Sequence, residues 1–175
     1  FNTLDVGSTS SGGYQPILAF RKGDNRFGIF FYKSSSTEQL FVGTYNGTAY
    51  NFFGINAGSY INDNWYHIVG TNSSGTIKMY INGVEQTDAA NASTISLADN
   101  DSFIGKLSSN YFTGLIDEVS SFNVALSQEQ VTTLYNGGTP YDITNDSTLS
   151  ARLQGYWRNN SLTSAGKWED LSDNS

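Results

Sequence analysis

Apolar residues gather in segments of roughly five to eight, parted almost throughout by clusters of Gly, Asn, Ser and Asp, a rhythm that predicts an all-β sandwich. Pro16-Ile17-Leu18-Ala19-Phe20 runs into a Lys22-Gly23-Asp24-Asn25 turn. Phe27-Gly28-Ile29-Phe30-Phe31-Tyr32 then reads as a buried strand, closed by Ser34-Ser35-Ser36. Residues 39–45 and 48–52 predict a hairpin about Asn46-Gly47, because Asn-Gly tolerates the positive φ angles of a type I′ turn. A second hairpin is predicted from residues 65–71 and 76–81 about Asn72-Ser73-Ser74-Gly75. In its return strand Ile77, Met79 and Ile81 alternate with Thr76, Lys78 and Tyr80, which predicts one buried and one solvated face. Asn82-Gly83 predicts another hairpin turn, and residues 102–105 and 112–119 further strands.

One short helix interrupts this pattern. Ser127 is placed to cap residues 128–136, with Gln130 as its capping-box partner and Gly137-Gly138 as the stop. A helix so short is marginal alone, so it must pack through Val131 and Leu134. After Pro140 the texture changes. Residues 141–150 read as a polar linker, and Leu153-Gln154-Gly155-Tyr156-Trp157-Arg158 as a new strand ahead of a polar tail. The expected organisation is therefore a domain over 1–140, a linker over 141–150, and over 151–175 the start of a second module or a strand that completes a neighbouring one.

Composition narrows the function. Aromatic residues make up 14%, so apolar area is plentiful, while charged residues are also only 14%, below the roughly 25% usual in soluble domains. The net charge is −7, and the nine Lys and Arg are scattered, with Arg21-Lys22 the one adjacent pair. A nucleic-acid partner needs clustered basic residues to displace phosphate counterions, so none is expected. With no cysteine the chain has no disulfide, thiolate metal site or Cys nucleophile, which tilts the source towards bacteria or viruses. No apolar run is long enough to insert in a membrane as a helix. The abrupt start at Phe1-Asn2-Thr3-Leu4 reads as that of a piece of a longer polypeptide.

Two stretches carry a resemblance to a family. Trp65-Tyr66-His67-Ile68-Val69-Gly70-Thr71 with Ile77-Lys78-Met79-Tyr80-Ile81-Asn82-Gly83-Val84 resembles the "W-x-H-V-A … v-x-l-Y-v-N-G" hairpin of laminin-G-like jelly rolls. Phe112-Thr113-Gly114-Leu115-Ile116-Asp117-Glu118-Val119, then Phe122-Asn123 and Ala125-Leu126-Ser127 through Leu134-Tyr135-Asn136, is similar to their closing segment. The resemblance spans residues 14–137 and implies a two-sheet antiparallel jelly-roll sandwich of the concanavalin A-like type with one short helix. The residues 153–158 and 168–175 look like the opening that such modules carry at their N-terminus, familiar from tandem modules of tailed-phage structural proteins. Fold alone does not choose among the lectins, adhesion modules, glycanases and virion proteins of this class.

Candidate chemistry is sparse. Related glycanases need two carboxylates flanking the scissile bond, in a Glu-x-Asp-x-x-Glu arrangement on one strand. Here Glu38, Glu85, Glu118 and Glu129 are isolated, and Asp117-Glu118 are neighbours expected to point to opposite faces of a strand, so no enzyme is expected. His67, the single histidine, is expected to be a hydrogen-bonded strand residue. The resemblance makes Asp117 the candidate ligand of a structural Ca²⁺; the competing reading is that it only accepts hydrogen bonds from backbone amides. For sugar binding, Tyr45, Tyr50 and Asn51 in the first hairpin and Tyr60, Asn62 and Asp63 beyond it offer an aromatic platform with amides and carboxylate, to which Arg21 adds a charge. The expected function is a non-catalytic recognition module for glycans or a host cell surface, extracellular or on a virion surface. The alternative is a purely structural domain whose partners are other subunits of a larger assembly.

Overall fold

The computed structural model describes residues 13–34, 38–56, 64–87, 90–91 and 101–172. The strands in chain order are β1 (Gly13–Lys22), β2 (Asn25–Lys33), β3 (Glu38–Asn46), β4 (Tyr50–Asn56), β5 (Ile68–Ser73), β6 (Thr76–Ile81), β7 (Val84–Glu85), β8 (Ala90–Asn91), β9 (Asp101–Ile104), β10 (Lys106–Leu107), β11 (Asn110–Tyr111) and β12 (Val119–Phe122). Helix α1 (Gln128–Tyr135), a single turn α2 (Ser147–Ser150), and strands β13 (Leu153–Leu162) and β14 (Trp168–Asp170) follow. One antiparallel sheet has the order β4-β3-β2-β1-β9; a second is β5-β6-β7, with β8 also on β6; a third is β12-β13-β14. This is the mostly antiparallel β-sandwich with a short helix that the sequence pattern predicts.

Alternation fixes the main core. Ile29 and Phe31 of β2, Leu40 and Val42 of β3 and Phe53 of β4 face the second sheet, whose Ile68, Ile77, Met79 and Ile81 meet them. Gly70 of β5 lets the sheets close up, since a Cβ there would lie 2.7 Å from a Val42 methyl. In β1 the register slips between Pro16 and Leu18, a bulge that accommodates a proline with no N–H to give the ladder.

The hairpins follow local chemistry, with two differences in loop length, the β5–β6 turn being Ser74-Gly75 alone rather than residues 72–75. Ser74 and Gly75 (φ 49° and 88°), and Asn82 and Gly83 (50° and 79°), carry the paired positive φ angles of two-residue turns. The β3–β4 connection is longer than the expected two-residue turn. Tyr45 pairs with Tyr50, and Asn46 Oδ1 accepts the N–H groups of Thr48 and Ala49 to close a four-residue loop. Two strands are also shorter than predicted. β5 begins at Ile68 rather than Trp65, and residues 112–118 lie outside the ladders, leaving β12 only Val119–Phe122.

Helix α1 has its expected N-cap but stops one residue early, at Asn136 rather than at Gly137-Gly138. Ser127 Oγ accepts Gln130 N–H while Gln130 Oε1 accepts Ser127 N–H, and Asn136 ends it in the left-handed conformation. Val131 and Leu134 are buried. They meet Tyr80, Leu126, Ile143, Leu149, Leu153 and Tyr156 in a second core. The face of β6 expected to be solvated is therefore covered at Tyr80, 2% exposed, while Thr76 and the Lys78 side chain remain exposed as predicted. Residues 141–150 are folded: Asp146 Oδ1 accepts Thr148 and Leu149 N–H to start α2, and Ile143 and Leu149 are buried. The strand-like segment after residue 150 pairs with this chain's own β12, Val119 opposite Trp157 and Ser120 opposite Tyr156.

Candidate functional site

The outward face of the five-stranded sheet is built from cross-strand rows. In the first, Asp101, Arg21, Arg26, Tyr45 and Tyr50 stand side by side across all five strands. Two residues further along every strand come Phe103, Ala19, Gly28, Gly43 and Phe52, and then Pro16, Phe30, Phe41 and Gly54. Tyr14, Tyr32, Gln39 and Asn56 make the fourth. Rows two residues apart lie about 7 Å from one another on one face. The glycines keep this face low between its rings: a Cβ on Gly28 would lie 2.7 Å from the Phe30 ring, and one on Gly43 2.9 Å from Phe52 Cβ.

Rings cover much of this surface. Phe30 and Phe41 stack with centroids 5.3 Å apart, and Phe41 also meets Phe52 and the edge of Tyr14, each at 5.5 Å. Tyr14 leans on Tyr32 at 5.0 Å. In the first row Tyr45 and Tyr50 stack at 4.3 Å, and the Arg26 guanidinium sits 5.4 Å from the Tyr45 centroid. Tyr45 is anchored through its hydroxyl, which donates to Gly47 O at 2.9 Å. Tyr50, Phe52 and Tyr14 are each more than half exposed. Water-exposed rings held in fixed orientation offer apolar area at little cost in side-chain entropy.

Of the residues singled out from sequence, the structure brings Arg21, Tyr45 and Tyr50 together in one row. Asn51 is turned away: it pairs with Thr44, whose hydroxyl donates to its carbonyl, on the inward side of the sheet. Period-two alternation puts the neighbour of Tyr50 on the opposite face. Tyr60, Asn62 and Asp63 lie outside the described residues. Arg26, Phe30, Phe41 and Phe52 were missed as site residues; the alternation of Gly28, Phe30 and Tyr32 against Phe27, Ile29 and Phe31 is the signal that separates the two faces.

Asp117 and Glu118 both act on β13. Glu118 has φ 53°, so the two do not alternate as strand neighbours would. Asp117 Oδ1 accepts Glu118 N–H at 2.8 Å and Asn159 N–H at 2.7 Å. Glu118 takes the Tyr156 hydroxyl on one oxygen and Arg158 Nε, at 2.7 Å, on the other. Burial first, and then this hydrogen bond, push the Tyr156 phenol well above its ordinary pKa. Among the described residues no group of three or more His, Cys, Asp or Glu is arranged to hold a metal. The described donors here leave Asp117 Oδ2 as a carboxylate oxygen outside these bonds, against the six to eight oxygens that calcium takes. His67 stacks on Tyr135 with centroids 5.9 Å apart. Its backbone exchanges hydrogen bonds with Asn82, and burial lowers its pKa to about 4.

Residues 6–132 match a laminin G family model of the concanavalin A-like lectin/glucanases superfamily, and the chain belongs to that family. No curated protein and no solved structure matches the chain. Among the described residues no helix is long and apolar enough to cross a membrane.

Proposed function

We propose that the chain is a non-catalytic recognition module that binds carbohydrate, as free glycan or on a host cell surface, through the outward face of its five-stranded sheet. The observation that carries this reading is the Tyr45–Tyr50 stack with Arg26 against it, an exposed aromatic and cationic row on a rigid sheet. Sugars present an apolar face to such rings and hydroxyl edges to the polar groups beside them. Low charge and abundant Asn, Ser and Thr suit an extracellular protein or a fibre or decoration protein of a virion, the settings we propose for it. A Ca²⁺ ion at Asp117 would serve structure only, and would need carbonyls from beyond the described residues to supplement Oδ2.

A glycan-array assay on the folded chain, run with and without Ca²⁺, tests the reading. Reproducible binding to a sugar class that is lost in Tyr50→Ala supports it; no binding by a folded protein overturns it. A second reading draws on a different observation. The Tyr14, Phe30, Tyr32, Phe41 and Phe52 cluster is a continuous apolar surface, the kind that another subunit of an assembly covers. A structural domain of this sort would self-associate or join its assembly partners, and would bind no glycan.

A further inference from the structure

We infer that the sugar this face takes carries a carboxylate, held by Arg21 and Arg26 while its ring lies on Tyr50. The inference rests on the carbohydrate reading above and narrows its substrate class.

Arg21 and Arg26 are directly opposite each other in the β1–β2 register, so their Cβ atoms stand about 5 Å apart on the same face. Like charges in that position repel, and opposite charges would have been the stabilising choice. Among the described residues neither arginine makes an ion pair; Asp101, across from Arg21 on β9, and Asp24, in the β1–β2 turn, are the acidic groups at this end of the sheet, and neither is bonded to them. Arg21 spends only Nε, on Gly23 O at 3.0 Å, which leaves its two terminal nitrogens for a ligand. Arg26 Nε is buried with no acceptor, and its guanidinium lies against the Tyr45 ring. Two cations elsewhere are paired, Lys78 with Glu85 at 2.9 Å and Arg158 with Glu118.

Each guanidinium presents a fork that fits the two oxygens of a carboxylate, and such bonds are about twice as strong as neutral ones. The Tyr50 ring, 67% exposed at the end of the row, supplies the platform for the pyranose ring. A bound acid would also relieve the Arg21–Arg26 repulsion, which Asp101 across from Arg21 offsets from one side only. Hexuronates and sialic acids have this combination of ring face and carboxylate. A neutral hexose has the ring alone.

The test is an array bearing uronate- and sialate-terminated glycans beside the same glycans with the carboxyl reduced to the alcohol, probed with the wild-type chain, Arg21→Gln and Arg26→Gln. The expected result is binding to the acids, at least about tenfold weaker binding to the reduced forms, and loss of that preference in either variant. Thermal unfolding reports whether the variants fold, and Arg21→Gln is expected to leave the midpoint unchanged. Equal binding to acid and reduced forms would overturn this inference while leaving carbohydrate recognition standing. An acid preference that survives in both variants would overturn it as well. Failure of the folded wild-type chain to bind any glycan would overturn both readings.

Discussion

The Asp117 carboxylate accepts the backbone N–H of Asn159 at 2.7 Å, fastening the turn before β12 to a strand 42 residues further along the chain. The same oxygen accepts Glu118 N–H, which holds Glu118 in its left-handed conformation and aims its carboxylate at Tyr156 and Arg158. Removing Asp117 strands two backbone donors and loosens that aim. Asp117→Ala is expected to cost about 1.5–3 kcal/mol of stability, the range for hydrogen bonds to charged groups. The two amide bonds need no metal, so their loss is expected to be the same size in EDTA as in millimolar Ca²⁺. Denaturant titrations under both conditions measure it. A loss seen only with Ca²⁺ present would mean that the ion, and not Asn159, is the partner that matters.

His67 makes stability depend on pH in a defined window. Burial against Tyr135 favours the neutral ring, so the folded pKa falls to about 4 from an ordinary 6.5. The unfolded chain therefore takes up the proton first as pH drops. The contribution is complete above about pH 6.5 and is lost as pH falls through 4, with a limiting size of about 3 kcal/mol for a shift of this order. Unfolding midpoints between pH 7 and pH 4 should decline by that measure beyond what the carboxylates contribute, and His67→Phe should flatten the decline. A variant with the same pH slope as wild type would remove His67 from the explanation.

The C-terminal region is expected to unfold together with the sandwich, because Leu149, Leu153 and Tyr156 share a core with Tyr80 of β6 and Val131 and Leu134 of α1. Leu149 is 1% exposed, and Leu149→Ala is expected to destabilise the whole chain by about 2–5 kcal/mol. Circular dichroism and tryptophan fluorescence should still report a single shared transition. Trp157 and Trp168 lie in this region and Trp65 in the sandwich, so an early fluorescence change with unaltered β-sheet signal would reveal a separately melting tail.

What the sequence made legible is what local chemistry controls. The capping box of α1 and the Asn82-Gly83 turn depend on residues within a few positions of one another, and both stand where the pattern predicts them. The inward set Ile77, Met79 and Ile81 follows from alternation alone. The fate of Tyr80 does not, because its cover comes from α1 and β13, some fifty and more than seventy residues later in the chain. A single alternating strand cannot tell water from a second layer. The same reason hid the role of residues 153–162, whose partner in the ladder is β12. At the site, Arg21, Tyr45 and Tyr50 were visible as residue types suited to sugars, but their alignment in one row depends on the registers of three successive strand pairs. Asn51 was grouped with Tyr50 by proximity in sequence, which in a strand separates side chains to opposite faces. Phe30 and Phe41 were hidden inside apolar runs that read as core on both sides.

The central claim is that the Tyr45–Tyr50 end of the five-stranded sheet is the binding face, and paired affinity measurements test it most directly. Tyr50 and Leu115 are exposed to similar degrees, 67% and 61%, but only Tyr50 stands in the aromatic row. Titration calorimetry with the strongest array ligand should find Tyr50→Ala weakened by about tenfold or more, equivalent to about 1.4 kcal/mol, and Leu115→Ala within about twofold of wild type. Both variants should unfold close to the wild-type midpoint. Equal affinities for Tyr50→Ala and wild type would contradict the account and move the binding face elsewhere on the molecule.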